Sequence, residues 1–221
     1  MTMSEEHAVG DIENVYADCK DGLPDSVRLR AYRSLSWFKQ AQQTEDLDLK
    51  FMCLWVAFNA AYAHDSQMAL PSADKVGFRA FLQKICSINN DDIYHLVWQT
   101  YSASIRTLLD SKYVFQPFWN YHNGLVSEQA WEASFAQARR KSHEALKHKD
   151  TSTVLMVVFE RLYTLRNQVF HGGSTHLSKV NRSQLKDGVR ILNDMVPLFL
   201  FIMMKHPREA VWGRPYYPVV D

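Results

Sequence analysis

The stretch Asp150-Thr-Ser-Thr-Val-Leu-Met-Val-Val-Phe-Glu-Arg-Leu-Tyr-Thr-Leu-Arg-Asn-Gln-Val-Phe-His-Gly-Gly173 decides the fold of this chain. It opens with capping residues and closes on two glycines, so it predicts a helix over about 151–171. At about 100° per residue, five of its apolar residues fall within a sector of roughly 80°, which predicts a buried stripe. These residues are Leu155, Val158, Leu162, Leu165 and Val169.

Similar capping and spacing signals recur along the chain and predict further helices. Gly (8) and Pro (7) are scarce, which favours long helices over a many-turned β fold. The predicted fold class is therefore all-α, a helical bundle. Its other helices are expected over about 25–43, 45–64, 71–86, 127–149 and 181–205, with one more starting at 89–92 and carrying an apolar stripe to Leu108.

Two segments depart from a plain amphipathic pattern. Residues 45–64 are apolar nearly all round, which predicts a central helix or one that also packs on a partner chain. Asn59 is the polar exception there, and we expect it to bond a neighbouring turn, a substrate contact being the alternative. Residues 112–124 are rich in aromatics and broken by Pro117 and Gly124, which predicts an ordered but irregular insertion between the fourth and fifth helices.

Length and composition set the remaining limits. We expect a flexible or peripheral segment over 1–23, a helical domain over 24–205 and an extended tail over 206–221. The net charge of +1 excludes a global attraction to nucleic acid or membranes. No secretory signal is expected, because Met1 to Gly10 lacks a charged region followed by an apolar one. No membrane span is expected, because the longest apolar run is far shorter than the ~20 residues that a span needs. The chain should be cytoplasmic, and neither the cysteine nor the histidine spacings predict a metal site or a cofactor.

The polar residues of the 151–171 helix are unevenly placed. Glu160, Thr164, Asn167 and His171 lie about one turn apart on a face away from the apolar stripe. Arg166 lies about 140° from His171 on an ideal helix. The two can converge only if the helix loosens at its glycines, or if a second copy of the chain supplies one of them. A purely structural role is the alternative, because the helix dipole favours cations in a last turn and Gly-Gly is an ordinary helix end.

Leu165-Arg-Asn-Gln-Val-Phe-His-Gly-Gly173 resembles the signature of HEPN domains, in which an arginine, four to six residues and a histidine end one of the main helices. The upstream Leu54-Trp-Val-Ala-Phe-Asn-Ala-Ala-Tyr62 is similar to the second helix of Apea-like and related prokaryotic HEPN proteins. The resemblance covers roughly residues 25–205. It implies a HEPN-like helical bundle that forms a homodimer through its motif helices.

The resemblance also implies an activity. HEPN domains of this kind are commonly metal-independent endoribonucleases that leave a 2′,3′-cyclic phosphate, and several are toxins or antiviral effectors with a cognate antitoxin. Others are catalytically inactive scaffolds that bind a partner protein or nucleotide. The expected catalytic residues are Arg166, Asn167 and His171, with Glu160 and Asn59 in a supporting polar network.

Contacts to an RNA substrate are expected in two places. The basic run Arg139-Arg140-Lys141 could bind phosphates, a solvated helix face being the alternative. Trp119 and Tyr121 in the aromatic segment could stack on unpaired bases, or could instead pack over the end of the bundle.

Overall fold

In the computed structural model, the described residues are 5–63, 73–208, 212–213, 215 and 217. Every regular element among them is helical, as the sequence predicts. No described helix is both long and apolar enough to cross a membrane. The chain divides into two compact units, residues 1–92 with 189–221 and residues 93–188.

The first unit is built around α3 (Leu47–Tyr62), which packs closely on α2 (Asp25–Gln42). The aromatic residues of α3 are buried and follow one another at ring separations of 6.4, 5.4 and 4.7 Å, which confirms a central helix. Phe199 of α10 (Arg182–Lys205) adds a ring 6.0 Å from Phe58. The unit also contains α1 (Glu5–Cys19), a 3-10 helix (Lys20–Gly22) and α4 (Ala73–Ile88).

A buried arginine ties the C-terminal tail into the first unit. Arg30 is 2% exposed, and its guanidinium donates to the Ala61 carbonyl at the end of α3 and to the Gly213 carbonyl, each at 3.2 Å. Trp212 is also buried, with its indole nitrogen 3.2 Å from the His206 carbonyl. The predicted extended tail therefore contributes a buried side chain at Trp212 and a bonded carbonyl at Gly213.

The second unit begins with an interrupted helix. The predicted continuous helix after residue 89 is instead α5 (Asn90–His95), a π-helix (Leu96–Thr100) and α6 (Ser102–Asp110). The Tyr101 amide bonds the Leu96 carbonyl at 2.9 Å, the wider spacing of a π turn. Within this turn the Trp98 indole donates to the Thr151 hydroxyl at 3.0 Å, a long-range contact that local helical periodicity does not encode.

The aromatic segment was predicted to be irregular, and that prediction is wrong. It forms a 3-10 helix (Lys112–Val114) and α7 (Gln116–His122). Pro117 lies in the first turn of α7, where a missing amide proton costs no helical hydrogen bond. Gly124, at φ +72°, ends the segment before α8 (Glu128–Lys147). α8 and α9 (Thr151–Phe170) complete the unit.

Candidate functional site

α9 presents the motif from a well-buried helix. The Asp150 carboxylate accepts the Thr153 amide proton at 3.0 Å and caps its first turn. The predicted stripe is buried except at its last member: Leu155, Val158, Leu162 and Leu165 are at most 1% exposed, whereas Val169 is half-buried. Side chains after Leu165 therefore lie where the helix approaches solvent.

The glycines close α9 without loosening it. The Gly173 amide donates to the Gln168 carbonyl at 2.8 Å and the Gly172 amide to the Val169 carbonyl at 3.4 Å, the paired bonds of a Schellman motif. Gly172 takes φ +68°, the left-handed conformation that this motif requires. The regular helix therefore extends to Phe170.

Arg166 is held by residues of its own helix. Its Nη1 donates to Asn167 Oδ1 at 3.0 Å, and its guanidinium carbon lies 4.5 Å from the centre of the Phe170 ring. Its Nε is buried and has no hydrogen-bond partner. The plane of the guanidinium is thus fixed within α9, with its Nε–H enclosed and without an acceptor.

His171 is the residue at which α9 ends. Its backbone amide donates to the Asn167 carbonyl at 3.0 Å, while its side chain is exposed. Within the described residues the imidazole forms no hydrogen bond with Arg166 or Asn167. The angular separation expected on a regular helix is thus retained, and the loosened helix end that could have joined Arg166 to His171 is absent.

Gln168 anchors the motif to neighbouring segments, a role that the sequence analysis missed. Its side-chain amide donates to the Tyr113 carbonyl at 2.6 Å and accepts from Asn181 Nδ2 at 2.7 Å. These bonds connect α9 with the 3-10 helix Lys112–Val114 and with the segment that precedes α10. A lone glutamine in a helix gives no local signal of such partners.

The expected supporting network is not continuous along α9. Thr164 is 3% exposed, and its hydroxyl donates to the Glu160 carbonyl at 3.2 Å, a bond within its own helix. It therefore does not present its hydroxyl to Asn167. Asn59 lies on α3 in the first unit, where its side-chain oxygen is buried without a hydrogen-bond partner.

The residues expected to contact RNA differ in their surroundings. Arg139 forms an ion pair, with its Nε 2.8 Å from Asp110 Oδ1, whereas Arg140 and Lys141 are exposed.

The aromatic residues expected to stack on bases have protein partners instead. The Trp119 indole donates to the Tyr113 carbonyl at 2.8 Å. Tyr121 is half-buried, with its ring 6.2 Å from that of Trp131 and near-parallel to it. The two aromatic side chains are thus part of the packing of α7.

Arg161, inside α9, is a buried cation that periodicity did not single out. It is 3% exposed, lies 4.5 Å from the Phe115 ring centre and donates to the Leu109 carbonyl over a long 3.5 Å. Burial lowers its pKa to about 10. Its Nε has no hydrogen-bond partner, so the guanidinium is held mainly by aromatic packing.

Comparison with known proteins adds no relative from which a role could be transferred: no family model, no curated protein and no solved structure matches this chain. The function is therefore argued from the residues at the end of α9.

Proposed function

We propose that this protein is a metal-independent endoribonuclease with a HEPN-like helical bundle, active as a homodimer through the C-terminal ends of α9. The observation that carries the proposal is the arrangement of Arg166, Asn167 and His171. Asn167 and the Phe170 ring hold the guanidinium of Arg166 near the end of α9, and His171, five residues further along the chain, presents an exposed imidazole where the helix ends. These groups suit the cleavage of a phosphodiester.

The reaction assigns one task to each group. A His171 imidazole takes the proton from the RNA 2′-hydroxyl, whose oxygen forms a bond with the adjacent phosphorus. The bond between phosphorus and the 5′-oxygen breaks, and that oxygen receives a proton from an imidazolium. Arg166 stabilises the additional negative charge on the phosphoryl oxygens. The products are a 2′,3′-cyclic phosphate and a 5′-hydroxyl.

A second copy of the chain completes this chemistry. The base and the acid act on opposite sides of the phosphorus, and the end of one α9 offers one histidine. The closed Schellman motif also keeps Arg166 and His171 of one chain apart. Two α9 ends facing each other across a twofold axis would supply both histidines and both arginines.

Asn167 acts as a positioning residue in this proposal. Its side-chain oxygen accepts a hydrogen bond from Arg166 Nη1 at 3.0 Å, which fixes the orientation of the guanidinium. Replacing Asn167 by Asp would keep an acceptor but partly neutralise Arg166. We expect that change to reduce the turnover of RNA more than its binding.

The test is an RNA cleavage assay in EDTA with analysis of the product ends. We expect 2′,3′-cyclic phosphate ends from the wild type and their loss in Arg166→Ala and His171→Ala. His148→Ala is the matched histidine control, because His148 ends α8 as His171 ends α9. Arg28→Ala, which removes an exposed arginine of α2, is the arginine control. Cleavage that persists in both motif variants contradicts the proposal.

Subunit mixing tests the shared site separately. Wild-type and His171→Ala chains are mixed in equal amounts and equilibrated at constant total protein. If both histidines of a twofold dimer are needed, activity falls to about a quarter; if each chain works alone, it falls to about half. The second value, or a protein that cleaves as a strict monomer, excludes the shared site.

The contacts that fix Arg166 favour a second candidate, a catalytically inactive scaffold that binds a partner protein or nucleotide. Arg166, Asn167 and Phe170 already satisfy one another within α9, as they would in a structural helix end. Intact RNA with all variants, together with a stable complex of the chain and another protein, would favour this candidate. In an active enzyme, a toxin or antiviral role with a cognate antitoxin is the cellular setting we propose.

A further inference from the structure

A second cluster of cations lies away from the end of α9, where α6 packs against α8 in the second unit. Arg106 of α6 and His143, Leu146 and Lys147 of α8 line a cavity of about 290 Å³. That volume is roughly ten times the share of liquid that one water molecule occupies. The cavity therefore has room for a small ligand.

The charges around this cavity do not balance. Asp110 is the acid of α6 that faces α8, and its Oδ1 lies 2.8 Å from Arg139 Nε and 3.4 Å from His143 Nε2. This carboxylate is therefore shared between Arg139 and the lining residue His143, and it lies four residues after Arg106 on α6. Glu144, the nearby acid of α8, lies 3.3 Å from His148 Nε2.

Arg106 and Lys147 have no such partner. Within the described residues neither side chain forms an ion pair or a hydrogen bond, and both are exposed. A guanidinium and an ammonium that border one cavity offer several donors to an oxyanion, and His143 adds another when it is protonated. Leu146 contributes an apolar wall.

We propose that the groove formed by Arg106, His143 and Lys147 binds a phosphate group. Naming the phosphodiester backbone of RNA as its source rests on the proposed function; a free nucleotide or inorganic phosphate shares the same chemistry. The groove adds Arg106 and Lys147 to the predicted RNA contacts, of which Arg139 is ion-paired with Asp110 while Arg140 and Lys141 are exposed. It would hold the strand apart from the residues that cut it.

The first experiment asks whether the groove binds phosphate at all. The full-length 15N-labelled protein is titrated with inorganic phosphate and then with a 5′-mononucleotide, at constant ionic strength set with chloride. We expect backbone amide shifts concentrated at Arg106, Leu146 and Lys147, and their loss in Arg106→Gln. Lys186→Gln removes an exposed cation of α10 and is the charge-matched control.

The second experiment measures binding of a labelled 2′-O-methyl RNA strand, which lacks the attacking hydroxyl. We expect Arg106→Gln and Lys147→Gln each to weaken binding about tenfold, as for the loss of one charge-assisted hydrogen bond. Each should also reduce the slope of log K against log salt by about 0.7, the value for one phosphate contact of a single strand. Lys186→Gln should change neither quantity.

The outcomes separate the groove from the catalytic proposal. Phosphate shifts together with weakened RNA binding support the groove and RNA as its source. Phosphate shifts with unchanged RNA binding support a small phosphate ligand instead. No shifts and unchanged RNA binding overturn the groove, even if the wild type cleaves RNA. If the wild type does not cleave RNA but the groove binds phosphate, the catalytic proposal alone fails.

Discussion

Gly172 offers the most direct test of how the end of α9 is built. Its backbone has φ +68°, and a Cβ added there would meet no atom within 4 Å. Gly172→Ala therefore adds no steric contact and isolates the cost of the left-handed conformation, about 1–2 kcal/mol for a residue with a Cβ. For a chain of this size we expect the melting temperature to fall by about 2–8 °C.

Two matched substitutions separate backbone strain from crowding. Asn tolerates the left-handed conformation better than Ala, so Gly172→Asn should lose less stability than Gly172→Ala. Gly173 has no positive φ, but its Cβ would lie 3.1 Å from the Gln168 carbonyl oxygen. Gly173→Ala should therefore act by displacing the Schellman bond that this carbonyl accepts.

The measurement is urea unfolding followed by far-UV circular dichroism, with RNA cleavage assayed on the folded variants. Since Gly172 follows His171 directly, cleavage should decrease in the order wild type, Gly172→Asn, Gly172→Ala. A Gly172→Ala protein as stable as the wild type would refute the assigned helix end. Equal losses for Asn and Ala would refute the left-handed strain as its cause.

Three further predictions concern the framework. Lowering the pKa of Arg161 to about 10 corresponds to about 3 kcal/mol against the buried cation, which its aromatic contacts partly offset. Arg161→Met should therefore stay within about 1 kcal/mol of the wild type in urea unfolding, whereas Arg161→Ala should lose about 2–4 kcal/mol to a cavity. Arg30→Lys cannot reproduce both carbonyl bonds, so limited proteolysis should cut near Gly213 sooner than in the wild type. Asp150→Ala should cost about 1 kcal/mol at neutral pH through the lost cap. The hydrogen bonds with Thr153 lower the Asp150 pKa in the folded chain, so this contribution is present above pH 3.8 and is lost as pH falls through the folded pKa. Unfolding at a series of pH values should therefore show the gap closing in acid.

Local sequence patterns were enough to predict most of the helices. The helix predicted over about 25–43 is Asp25–Gln42, and that over about 151–171 is Thr151–Phe170. Both are long, strongly periodic and bounded by local signals. The burial of the aromatic residues of α3 was also predictable, because their spacing places them on one side of a helix.

The proline of the aromatic segment was misjudged from a local signal, whereas the partner of Arg139 is distant in sequence. Pro117 was read as a breaker, yet it occupies the first turn of α7, where proline is tolerated. Arg139 was expected either to bind phosphate or to lie on a solvated helix face; it is exposed, and its Nε donates a hydrogen bond to Asp110, a residue of another helix. No window of sequence contains both members of that pair.

The separation of Arg166 from His171 follows from helical geometry, and it could be predicted from their spacing in the sequence. A regular helix keeps the two residues apart, and the closed Schellman motif extends the regular helix to Phe170. The two glycines were one reason to expect a loosened helix end. They instead keep the last helical turn complete, because they let the chain reverse direction directly after it. If Arg166 and His171 act on one phosphate, the second contributor has to come from another copy of α9. The subunit-mixing experiment therefore tests directly whether two α9 ends share one site.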